Sequence, residues 1–130
     1  MDIELNEDQT MLQDMTRRFL EDRSPIGALR KQVNAGEGFD RDVWKDGAEL
    51  GWIALFVPEE NGGIAESAGG VADAAVVAEE LGRVVFSGPF ISTCAVAQAI
   101  ALSGSAEQRE LHLPGLAAGD TLAAWCLSGR

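Results

Sequence analysis

Residues 52–63 read WIALFVPEENGG, and this stretch constrains the fold more than any other. Six apolar residues run together and stop at Pro58, which has no N–H to continue a helix and biases Val57 towards extended backbone. Two acids, an asparagine and two glycines follow, a composition that supplies turn geometry. A surface helix would show polar residues at intervals, and a simple hairpin would not need so long an exit. The run is therefore expected to be a short, buried, extended segment, a strand or its equivalent, set between helical patterns.

Those patterns are well signalled. Asn6 can cap a first helix, with Gln9 three positions later as in a capping box and Glu7 and Asp8 in the first turn. Leu12, Met15, Phe19 and Leu20 share one face of it, and Ser24-Pro25 breaks it and can start a short helix through Leu29 to Val33. Residues 34–38 read as a loop. Asp40 caps a third helix with an apolar stripe of Val43, Trp44, Ala48 and Leu50, ending at Gly51. Residues 66–70 read as a loop, and VADAAVVAEELGRVV from Val71 reads as a central, alanine-rich helix. After a break at residues 86–89, FISTCAVAQAIALSGS gives a buried helix whose one polar side chain between residues 94 and 102 is Gln98. Ser105 and Gln108 form a second capping-box pair, and Pro114 is expected to bend or split the helix they start. The tail, TLAAWCLSGR, alternates weakly and is β-prone. The fold class is all-α: a bundle of five or six helices with a short extended apolar insert and a β-prone C-terminal tail.

Bulk properties exclude several functions. The 130 residues fit one domain, and 46% apolar content excludes a disordered chain. No apolar run is long enough to cross a bilayer, and MDIELNEDQT has no signal-peptide pattern, so the expectation is a cytoplasmic protein without a membrane span. A net charge of -11, from 21 acids against 10 bases, argues against nucleic acid and against this chain supplying the main contacts to any phosphate-bearing ligand. Cys94 and Cys126 lack metal spacing and are expected to be buried reduced thiols.

Catalytic groups are sparse. The single histidine, His112, lies among leucines and is expected at the surface or a boundary, with no nucleophile and orienting group to complete a triad. The adjacent acids Glu59-Glu60 and Glu79-Glu80 do not converge on one atom if helical, and read as solvated acids or caps. Neither Gly62-Gly63 nor Gly69-Gly70 belongs to a phosphate-loop pattern. Gln98 is the exception: an amide in a buried helix needs a partner, either a backbone carbonyl or a ligand.

Four segments together resemble the N-terminal domain of the acyl-CoA dehydrogenase family: ELNEDQTMLQDMTRRFLED at 4–22, FDRDVWKDGAELGWIALFVPEENGG at 39–63, VVAEELGRVVFSGPF at 76–90 and GSAEQRELHLPGLAAGD at 104–120. The family usually has tyrosine where this chain has Asn61. The resemblance implies residues 1–120 as the helical domain and 121–130 as the start of a middle β domain. It implies FAD as cofactor, an acyl-CoA thioester as substrate and an electron-transferring flavoprotein as electron acceptor, in a homo- or hetero-oligomer. By the same resemblance Trp125, Leu127 and Ser128 would lie beside the flavin, while Ala95, Gln98, Ala99 and Leu102 would line the acyl pocket. Gly129-Arg130 departs from the family's acidic continuation. No residue here matches the family's catalytic carboxylate, so none is assigned, and the chain alone is expected to be inactive. Two other readings stand beside this one: a non-catalytic helical module binding an acyl chain or a partner protein, and an acyl-CoA oxidase or flavin monooxygenase built on the same bundle.

Overall fold

In the computed structural model, which describes residues 4–65, 70–126 and 128, the chain forms six α-helices. They are α1 (Glu7–Arg23), α2 (Ile26–Asn34), α3 (Arg41–Glu49), α4 (Val71–Arg83), α5 (Phe90–Ser103) and α6 (Ala106–Ala117). The caps are those the sequence signals. Asn6 Oδ1 accepts from the Gln9 N–H at 2.8 Å while Gln9 Oε1 accepts from the Asn6 N–H at 3.2 Å. Ser105 and Gln108 repeat this box at α6, and Asp40 accepts from the N–H groups of Asp42 and Val43 at α3. Pro114 does not split α6; it lies within a continuous helix through Ala117. Close to the C-terminal end, its ring removes one N–H donor and leaves the remaining turns bonded.

Two helix pairs make the bundle. α1 packs on α4, α5 packs on α6, and both pairs touch the 3-10 turn Ala54–Phe56 between them. Residues 52–57 are buried, as expected, but they are not a strand. The Phe56 N–H donates to Ile53 O and the Val57 N–H to Ala54 O, and only Val57 and Pro58 have extended dihedrals. With no neighbouring strand among the described residues, a buried extended run would leave its amides unpaired, so local turns satisfy them instead. The exit then folds back on the run it leaves: Ile64 donates to Ala54 O and Ala65 to Val57 O. Gly62 turns with φ +88°, and a Cβ on Gly63 would stand 1.8 Å from Val57 O. Those two positions require glycine.

Trp52, fully buried, is the hub of the core. It makes edge-to-face contacts with Phe19, Phe86 and Phe90 at centroid distances of 5.6, 6.0 and 6.5 Å. Met15 of the expected α1 stripe is instead exposed. The described part of the β-prone tail forms no strand. Its residues Leu122 and Ala123 lie against the core, and Thr93 Oγ1 donates to Ala123 O at 3.4 Å. Cys94 is buried as expected, but Cys126, on that tail, is exposed.

Glu80 corrects a further expectation. It is not solvated: its side chain is 1% exposed, and Arg17 of α1 grips both its oxygens, at 3.0 and 2.6 Å. Arg83 adds a bond to Glu80 at 2.9 Å and reaches Glu21 with its other nitrogen. These ion pairs tie α1 to α4. No helix among the described residues is long and apolar enough to cross a membrane.

Candidate functional site: a furrow between α4 and α5

The 3-10 turn at residues 54–56 holds the two helix pairs apart, and a furrow opens where α4 and α5 face each other. Its floor is Phe56. One wall is Val71, Ala74, Ala75 and Ala78 of α4; the other is Ile91, Cys94, Ala95 and Gln98 of α5. Each set follows the i, i+3, i+4, i+7 spacing of one helix face. The furrow encloses about 520 Å³, within the range of small-molecule sites. It is continuous with a second hollow of about 640 Å³, which shares Ala78, Phe90, Ile91 and Ala95 and extends to Leu81, Phe86 and Trp125.

The furrow is wide because its walls are small. Three alanines on α4 and Ala95 on α5 project only a Cβ into it. Among the described residues, no Asp, Glu, His, Lys or Arg lines either hollow. Burial pushes the Cys94 thiol up to about 12, so it lines the furrow as a neutral, weakly polar group. The polar feature of the furrow proper is Gln98, whose Oε1 is shut off from solvent and has no hydrogen-bond partner among the described residues.

Of the residues expected in a pocket, Ala95 and Gln98 line this furrow. Ala99 and Leu102 do not; Leu102, 69% exposed, lies one turn beyond Gln98, past the end of the furrow's lining. Trp125 borders the second hollow and is 59% exposed, Ser128 is exposed, and Leu127 lies outside the described residues. The α4 wall was not anticipated. Its signal was present as alanines at 74, 75 and 78, which share one face of the helix. His112 is exposed, and no group of three or more metal-ligating side chains occurs among the described residues.

The acyl-CoA dehydrogenase N-terminal domain matches this chain over residues 6–120. Acryloyl-CoA reductase (NADH) of Anaerotignum propionicum is 31% identical over 130 residues, covering 98% of this chain and 32% of the relative. Acyl-CoA dehydrogenase IpdE2 of Mycobacterium tuberculosis is 31% identical over 122 residues, covering 93% of this chain and 37% of the relative. Among solved structures, a steroid ACAD variant (Tcur3481-Tcur3483) superposes with a TM-score of 0.74 at 36% identity, over 87% of this chain and 30% of that one. The chain thus spans about a third of the length of these relatives. It belongs to the acyl-CoA dehydrogenase family, as the N-terminal helical domain.

Proposed function

We propose that this domain serves an FAD-dependent acyl-CoA dehydrogenase, which removes hydrogens from the α and β carbons of an acyl-CoA thioester, and that the α4–α5 furrow is one wall of its acyl site. The observation that carries this reading is the furrow: apolar, walled by small residues and continuous from Trp125 to Gln98. Residues 121–130 would lead from it into a β domain.

The division of labour follows from the lining. With no carboxylate or histidine among its described residues, this wall is assigned no proton transfer, and the base that takes the α proton would come from elsewhere in the enzyme. The wall desolvates the acyl group and fixes its orientation. FAD fits here only in part. The exposed indole of Trp125 and the Ser128 hydroxyl suit the edge of a flat ring, but among the described residues the hollow beside Trp125 offers no cation for a pyrophosphate. Bound there, FAD would accept the β hydrogen as hydride; an electron-transferring flavoprotein would then take the electrons. The similarity to a steroid ACAD supports a bulky acyl group, as do the alanine walls.

The test is Ala95→Phe in the FAD-loaded enzyme that carries this domain, assayed by dye-coupled oxidation of short and bulky acyl-CoA esters. The ring would fill the furrow. The expected result is a drop of at least tenfold in kcat/KM for bulky esters with little change for short ones; equal rates on both would overturn the reading.

A further inference from the structure

We infer that Phe86 is a movable partition, held shut by a strained turn at Val85, and that it sets how large an acyl group the site accepts. This rests on the acyl-site reading above and goes beyond it by naming what determines substrate size.

Helix α4 ends in a two-bond cap. The Val85 N–H donates to Gly82 O at 3.1 Å and the Phe86 N–H to Leu81 O at 2.9 Å. This pattern places the residue after the cap in the left-handed region, where glycine is the usual occupant. Here that residue is Val85, with φ +56°, the one non-glycine residue of positive φ among the described residues. A β-branched side chain in this region crowds its own backbone. Val85 is 60% exposed, so packing offsets little of the strain. Strain of this kind persists only where the surroundings hold it.

What the turn positions is Phe86. Its ring meets Trp52 edge-on at 6.0 Å, and a Cβ on Gly88 would stand 2.2 Å from it, so residue 88 leaves the space the ring occupies. On the far side, Ser87 Oγ donates to Gly38 O at 2.8 Å and fastens the turn to the loop before α3. Phe86 lines the hollow beside Trp125, and it also lines a smaller hollow of about 300 Å³ beneath α2, walled by Ala28, Leu29, Gln32 and Val43. Among the described residues it is the only one the two linings share. If Val85 relaxes to a negative φ, the Phe86 N–H loses Leu81 O and the ring is free to leave Trp52, which joins the two hollows. The closed turn suits a small acyl group, and the open one suits a larger group that reaches beneath α2.

Glycine at position 85 removes the strain and keeps the closed turn. The open state should then become rarer by about five- to thirtyfold, the factor by which a left-handed conformation disfavours a non-glycine residue. An ester that needs the open state loses the same factor in apparent affinity.

The experiment has two readouts. In the 130-residue chain, hydrogen exchange at the Phe86 N–H, followed by NMR, is expected to slow about fivefold or more in Val85→Gly. In the FAD-loaded enzyme carrying this domain, Val85→Gly is expected to lower kcat/KM for hexadecanoyl-CoA by a similar factor, chiefly through KM, and to leave butanoyl-CoA unchanged. In a Phe86→Ala background the same glycine substitution should have no effect on either ester, because no ring is left to move. Unchanged exchange at Phe86, or an unchanged ratio of the two esters in Val85→Gly, would overturn the inference and leave the acyl-site reading standing. Failure of both esters to bleach the flavin would overturn both.

Discussion

Arg17 and Glu80 are 63 residues apart in sequence and joined by two hydrogen bonds, at 3.0 and 2.6 Å, across the α1–α4 interface. The carboxylate is buried and the guanidinium half-exposed. The geometry is the fork-to-fork pairing that Arg makes and Lys cannot. Glu80→Gln keeps the shape and loses the charge. It is expected to lower stability by about 2 kcal/mol, read as a lower urea midpoint with unchanged slope. Arg17→Met in the same background should cost less than it does in wild type, because the buried charge that needs Arg17 is gone.

The same pair predicts a pH dependence. The hydrogen bond from Arg17, the largest cause, holds the Glu80 carboxyl below its ordinary 4.5. A carboxylate depressed in the folded state contributes stability that is fully present above its unfolded pKa and lost as pH falls through the folded one. Wild type should therefore lose stability more steeply than Glu80→Gln below about pH 4.5, and the two curves should run parallel above it. Urea titrations at pH 3.5, 4.5 and 7 test this; parallel curves throughout would exclude a buried ion pair at Glu80.

Two glycines in helices should respond oppositely to alanine. A Cβ on Gly47 would stand 2.2 Å from the Trp52 ring, which Phe19, Phe86 and Phe90 hold in place. Gly47→Ala is expected to destabilise by about 3 kcal/mol through overpacking. Gly82, in the last turn of α4, has open space around its would-be Cβ, and Gly82→Ala is expected to stabilise by up to about 1 kcal/mol. Thermal melts of both variants decide it.

The two thiols should separate by reactivity. Cys94 is buried and pushed up to about 12 by desolvation, while Cys126 is exposed. At pH 8 a thiol-specific chromogenic reagent is expected to label one cysteine in the native protein and two in urea, and Cys126→Ser should abolish the native reaction. Rapid labelling of both would contradict the burial of Cys94.

What was legible in the sequence was local. The Asn6–Gln9 and Ser105–Gln108 boxes close over three residues, so composition and spacing suffice to find them. The burial of residues 52–57 was legible too, but their conformation was not. Six apolar residues are compatible with a strand or a turn, and the choice falls on whether another strand is present to pair with. Glu80 was misread for the same reason: its environment depends on Arg17, and no local pattern shows a contact 63 residues away. The candidate furrow was legible only in part. Ala95 and Gln98 line the furrow, but Ala99 is turned about 100° from Gln98, and Leu102, on the same face one turn further on, lies past the end of the lining. The facing α4 wall is visible only once the turn at residues 54–56 is known to hold the helix pairs apart.

The last prediction concerns the flavin. The chain carries a net charge of -11, and among the described residues the hollow beside Trp125 has no Lys or Arg in its lining, so a pyrophosphate would meet neither a described cation nor a favourable field there. Trp125 and Ser128 could touch a ring edge, but an edge contact is worth too little to hold a dinucleotide. The purified 130-residue chain, incubated with FAD and freed of excess flavin, is therefore expected to be colourless and to oxidise no acyl-CoA ester. Its visible absorption spectrum is the measurement. A stoichiometric flavin band would mean that these helices, alone or through a second copy, build a complete cofactor site. The division of labour proposed for the furrow would then be wrong: the same wall that receives the acyl group would also have to hold the phosphates.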